Sequence, residues 1–156
     1  MRVFIYLVFL VVFSNICQLG FAQNGTEPNK AGLYPLKAKV KAADGKNIAE
    51  ILIYPQTIEF YNDQEELVVL AGYYPYQGRI WIFITLPNQQ EPVIVASSRH
   101  EVVYDAAEQS IGFYGSLGGN STLFNANFEK IGSVFCILKN NLCAAAAVAY
   151  LNGVFP

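Results

Sequence analysis

The chain is poor in the residues that metalloproteins and most hydrolases depend on. It has one histidine, one tryptophan, one methionine and three cysteines in 156 residues. A lone histidine excludes His-pair chemistry and most histidine-rich metal sites, so no metal is expected. Charge is scarce as well: 14% of residues are charged, with ten Lys+Arg against twelve Asp+Glu and a net charge of −2. A near-neutral, slightly acidic chain lacks the electrostatic footprint of a nucleic-acid binder. There is no P-loop, no dinucleotide fingerprint, no Gly-x-Ser-x-Gly elbow and no His-Glu-x-x-His, and no cofactor is expected. Long apolar runs are missing too. Val3–Phe13 is an unbroken apolar run that covers about 16 Å as a helix, roughly half a bilayer core, so no transmembrane anchor is expected in the mature chain. What the chain has in quantity is hydrophobic residues, at 53%, which excludes disorder for most of its length.

The N-terminus follows the three-part plan of an export signal. Arg2 supplies a basic charge, Val3–Phe13 the apolar stretch, and Gly20-Phe21-Ala22 the small residues before a cut. Residues 1–22 are read as a signal peptide cleaved near Ala22, and the mature protein as secreted or periplasmic/envelope-located. Lipid anchoring through Cys17 is disfavoured by the bulky Ile16 before it. Export gives the remaining cysteines a meaning. Cys136 and Cys143 are expected to form a disulfide around Lys139-Asn140-Asn141, contributing about 2–3 kcal/mol by restricting the unfolded chain. The rival, a redox or metal pair, lacks the C-x-x-C spacing and further ligands. Asn24-Gly25-Thr26 and Asn120-Ser121-Thr122 are glycosylation sequons, usable if the source is a eukaryote.

Residues 23–34 read as a flexible lead and 35–156 as a single β domain. Leu36–Lys41 alternates strictly, with Lys37, Lys39 and Lys41 on one face. Asp44-Gly45 turns it into a return strand over Ile48–Tyr54. The lysine row suits a solvated face or an edge guard rather than an acidic-partner site. Further strands are expected over 57–61, 67–74, 79–86, 93–97, 101–105, 111–116, 121–128 and 131–138. The strands at 67–74 and 79–86 have two apolar faces, which argues for central strands covered on both sides. The glycines of Gly112–Gly119 are expected to relieve crowding at bends or bulges. No internal repeat is visible. The fold class is therefore mainly β: an antiparallel meander of about 8–10 strands, forming a closed barrel or a β-sandwich. The apolar segment 142–156, with Ala144–Ala147, is expected to dock on the barrel as helix or strand.

Two groupings bear on function. Ser97-Ser98-Arg99-His100-Glu101, with Asp105 behind, contains the residue types of a hydrolytic triad. Ser98 and His100 on one strand face would stand about 6.5–7 Å apart, too far for a hydrogen bond. Nor does anything bring two carboxylates among Glu59, Glu65, Glu66, Glu101 and Asp105 face to face for glycoside chemistry. No catalytic residue is assigned. The other grouping is aromatic. Tyr73, Tyr74, Tyr76, Arg79 and Trp81 lie within nine residues and offer stiff apolar faces with polar tips, suited to a ligand. The competing reading puts Trp81 and Phe83 in the core and the tyrosines on a rim.

In length and strand count the chain resembles lipocalin-like and avidin-like barrels. The lipocalin Gly-x-Trp signature is absent: the corresponding region reads Ala31-Gly32-Leu33-Tyr34, and Trp81 lies mid-chain. The resemblance is one of architecture and carries no function. The expected function is non-catalytic binding, with a small amphipathic molecule, a glycan or a protein surface as partner. The alternative is a structural or protein-interaction component of the envelope or extracellular matrix, inhibitors included.

Overall fold

The structure is a computed structural model describing residues 34–155 apart from Asn88. The expected signal at 1–22, the expected lead up to Leu33 and the Asn24 sequon lie outside the described residues. Ten strands follow one another: β1 Leu36–Ala42, β2 Asn47–Ile53, β3 Thr57–Asn62, β4 Leu67–Tyr76, β5 Arg79–Ile84, β6 Val93–Arg99, β7 Val102–Asp105, β8 Ser110–Leu117, β9 Asn120–Asn125 and β10 Lys130–Phe135. Each pairs antiparallel with its sequence neighbours. β1 also pairs with β10, from Lys39↔Phe135 to Ala42↔Gly132, so the sheet closes into a barrel and leaves no edge. Alternation decides which side chains enter. Val40, Ile51, Ile58, Phe60, Ile82 and Leu123 point inward and are fully buried, while Lys37, Lys39 and Lys41 point out.

The two ends of the barrel use different turns. At one end, β4–β5, β6–β7 and β8–β9 are joined by two-residue turns with both residues at positive φ: Gln77-Gly78, His100-Glu101 and Gly118-Gly119. That geometry matches the twist of the flanking strands. At the other end a five-residue turn recurs at 62–66, 105–109 and 125–129. In each, the first side chain (Asn62, Asp105 or Asn125) accepts backbone N–H groups from the third and fifth residues. The fourth residue (Glu65, Glu108 or Phe128) takes positive φ. Ala42–Lys46 closes with the same backbone bonds around Gly45.

A repeating unit therefore exists where none was read from the sequence. Only the turn-opening Asn or Asp is chemically constrained, and the strand residues need only alternate. The same device shortens the expected strand 121–128: β9 stops at Asn125, because Asn125 begins a turn. Asn125→Ala removes two side-chain–backbone hydrogen bonds and is expected to cost about 1–2 kcal/mol in a urea unfolding curve. An unchanged midpoint would show that the strands alone set this turn.

The C-terminal segment forms a helix, α1, over Asn140–Leu151, with Leu142 to Ala149 all buried. Eight consecutive residues exceed two turns, so no azimuth of this stretch meets solvent. Phe60, inward from β3, stacks on Tyr150 with ring centroids 5.0 Å apart. Val148 and Leu151 lie against the inner sides of Gly112 in β8 and Gly132 in β10. The helix thus occupies the lumen, and the docking expected of 142–156 is against the inner wall of the barrel. Successive alanines suit this place: they favour helix and keep its girth small enough for the lumen. Cys136, just past β10, and Cys143, in the first turn of α1, have their sulfurs 1.96 Å apart. The bridge ties the wall to the plug where the helix enters.

Candidate functional site

With the lumen filled, the described residues available to a partner lie on the outer wall and at the two ends of the barrel, one of them the mouth where α1 enters. The mouth is an open cleft of about 450 Å3, bounded by Tyr76, Gln77, His100, Glu101, Tyr114 and Asn141 among others. It sits between the two-residue turns of β4–β5 and β6–β7. The second of these places His100 at φ 50° and Glu101 at φ 66°, where glycine or asparagine is the ordinary occupant. Two such residues in the left-handed region cost about 1–2 kcal/mol each. The turn is held to β8 by Tyr114 N–H donating to Glu101 O at 3.0 Å.

Below the turn, Ser98 in β6 and Tyr114 in β8 occupy inward positions. Both are buried, with Ser98 Oγ 3.4 Å from the Tyr114 hydroxyl. Burial pushes the Tyr114 phenol up; the Ser98 hydrogen bond offsets part of that and the Glu101 charge adds to it, so Tyr114 keeps its proton at neutral pH. Among the described residues Ser98 Oγ has Tyr114 as its partner, and His100 is not part of that pair.

The five aromatic-cluster residues separate. Tyr73 points inward and is buried; its hydroxyl donates to Pro55 O at 2.7 Å and accepts from Lys139 Nζ. Burial opposes the charge on Lys139, but the hydrogen bond it donates to Tyr73 and the adjacent Tyr73 and Tyr34 phenols outweigh it and raise its pKa. Tyr73 and Lys139 thus lock the β2–β3 turn to the helix entrance. Tyr74 and Tyr76 point outward, 45% and 53% exposed, with near-parallel rings 6.0 Å apart.

Trp81 also faces outward, half-buried, and does not fill the core as the competing reading of the sequence held. The Arg79 guanidinium covers it, 4.5 Å from its ring and 5.3 Å from that of Tyr104, and pairs with Glu108 at 2.5 Å. Phe83 lies against Gly72, whose missing side chain makes room for its ring. The outer apolar face of β5 is thus covered by its own side chains and not by a second layer, which corrects the expectation of coverage on both sides. Tyr76 and Arg79 line the cleft; Tyr74 and Trp81 continue the aromatic surface along the wall.

Sequence reasoning missed Tyr114, Gln77 and Asn141 as neighbours of this site. One signal was present. A polar residue on the inward phase of a strand, toward one end of the barrel, as at Ser98 and Tyr114, marks a mouth. Asn120 is exposed at the start of β9. Among the described residues no helix is long and apolar enough to cross a membrane, and no group of three or more His, Cys, Asp or Glu is placed to hold a metal. No protein-family model, curated protein or solved structure matches this chain.

Proposed function

We propose that the protein is exported, with residues 1–22 removed near Ala22, and acts outside the cytoplasm as a non-catalytic glycan-binding domain. The observation that carries this reading is the exposed Tyr74–Tyr76 pair, whose Tyr76 lines a cleft of mixed polar and apolar character. Aromatic faces pack against the C–H faces of a sugar, and Gln77, His100, Glu101 and Asn141 offer donors and acceptors for its hydroxyls. The filled lumen weighs against a small amphipathic molecule held inside the barrel. It favours, as a second reading, a structural or interaction component that meets a protein through the same wall. A hydrolase has the least support, because Ser98 pairs with Tyr114.

Trp81 reports on this wall, being the only tryptophan. Its emission is expected to be open to acrylamide and to shift when oligosaccharides are titrated. Tyr74→Ala with Tyr76→Ala is expected to weaken glycan binding by about tenfold or more while thermal stability holds, since both rings are exposed. A glycan panel that leaves Trp81 unmoved, or a double variant that binds as wild type does, would overturn the reading. Capture of a protein by the same wall would support the second.

A further inference from the structure

The charges of this barrel are sorted. Segments 34–43, 109–128 and 130–155, which build β1, the β8–β9–β10 wall and α1, contain five lysines (Lys37, Lys39, Lys41, Lys130 and Lys139) and no Asp or Glu. The described acidic residues lie elsewhere; Glu129 sits in a turn at the far end and Glu50 opposite Lys39 across β1–β2. A chain of net charge −2 thus carries a cationic sector.

At the mouth end of that sector two apolar tips stand in solvent. Leu117, before the Gly118-Gly119 turn, is 86% exposed, and Ile137 is 76% exposed, with Phe135 and Leu138 exposed beside it. The tips are held side by side: Cys136 N–H donates to Gly119 O at 2.8 Å, and a Cβ on Gly119 would lie 3.5 Å from the Phe135 ring. The Cys136–Cys143 bridge fixes the second tip to the helix. Lys39 is the register partner of Phe135, and Lys37 lies nearer the same end.

We infer that this face docks on the surface of an anionic phospholipid bilayer, with Leu117, Phe135, Ile137 and Leu138 reaching the acyl boundary and Lys37, Lys39 and Lys41 at headgroup depth. A few aliphatic side chains on a rigid tip with a basic layer behind them are what interfacial binding requires. All the cations of the sector are lysines, compact charges suited to a diffuse anionic surface, whereas the described arginines, Arg79 and Arg99, lie on β5 and β6. The face is separate from the Tyr74–Tyr76 wall, so either assignment can fail without the other.

The test is sedimentation of the mature chain with phosphatidylcholine vesicles, either pure or with about 30% phosphatidylglycerol. Partition onto the anionic vesicles is expected, weakening as salt rises to about 0.5 M. Leu117→Ser with Ile137→Ser, and separately Lys37→Glu with Lys39→Glu, are each expected to weaken it by about tenfold or more. These positions are exposed, and near-UV circular dichroism and melting identical to wild type confirm that each variant is folded. Lys139 is left intact because it anchors Tyr73. Absence of partition, or partition insensitive to either pair, would overturn the inference. So would salt-sensitive binding to polyglutamate without vesicle binding, which would assign the face to an acidic protein.

Discussion

Replacing Ala144, Ala145, Ala146 or Ala147 one at a time by Asp is expected to destabilise the protein at every position, with no permissive site among the four. All four are fully buried. Successive helical residues lie about 100° apart, so the four sample nearly the whole circumference of α1. A helix docked on the outside of a barrel would tolerate a charge on its solvent side. A helix in the lumen has none. A carboxylate there has no partner, and each substitution is expected to cost about 3 kcal/mol or more. For a domain of this size that lowers the melting temperature by about 10 °C or more, measured by circular dichroism or calorimetry. Ala→Leu at the same positions tests packing without charge and is expected to cost about 1–3 kcal/mol. One wild-type-like Asp variant would place that face of the helix in solvent and remove the plug.

The strands were legible because their signal is local. Leu36–Lys41 alternates over its whole length, and its lysines leave one choice of inner face. Ten strands were expected within the stated range, and ten form. The location of α1 was not legible. Cys143–Ala149 is apolar on every side, which shows burial all round without showing what surrounds it. Closure through β1 and β10 is likewise a long-range pairing without a local mark. The aromatic cluster shows the same limit. Spacing put Tyr73, Tyr74, Tyr76, Arg79 and Trp81 together in sequence, but a strand sends neighbours to opposite faces. Tyr73 went into the wall lock with Lys139, and Tyr74 went to solvent. The residues that complete the cleft, Tyr114 and Asn141, come from 33 positions or more further along the chain than Trp81 and reach it only through the β6–β7–β8 pairing and the returning helix.

The glycines of the wall give the second large effect, and they rank themselves. Gly112→Ala would put a Cβ 2.2 Å from Phe124 O and 3.0 Å from Val148; Gly132→Ala would put one 2.3 Å from Lys41 O and 3.0 Å from Leu151. Neither oxygen can rotate away, because both belong to a neighbouring strand, and the plug blocks retreat inward. Both glycines lie seven residues past the Asp or Asn that opens their hairpin, so the repeated turn delivers them to equivalent places against α1. Each substitution is expected to cost about 3 kcal/mol or more, at the upper end of overpacking effects. For Gly72→Ala the three nearest atoms all belong to the Phe83 ring, a side chain that can shift, and the change is expected to cost about 1 kcal/mol. Gly115→Ala, on β8 itself, has nothing within 4 Å; it is expected to be neutral or to stabilise by about 0.4–1 kcal/mol through the unfolded chain. Urea unfolding of the four variants, with unchanged slopes, checks the order. If Gly112→Ala behaved like Gly115→Ala, the helix would not be wedged against β8. The alanines of α1 would then owe their burial to something other than a tight lumen.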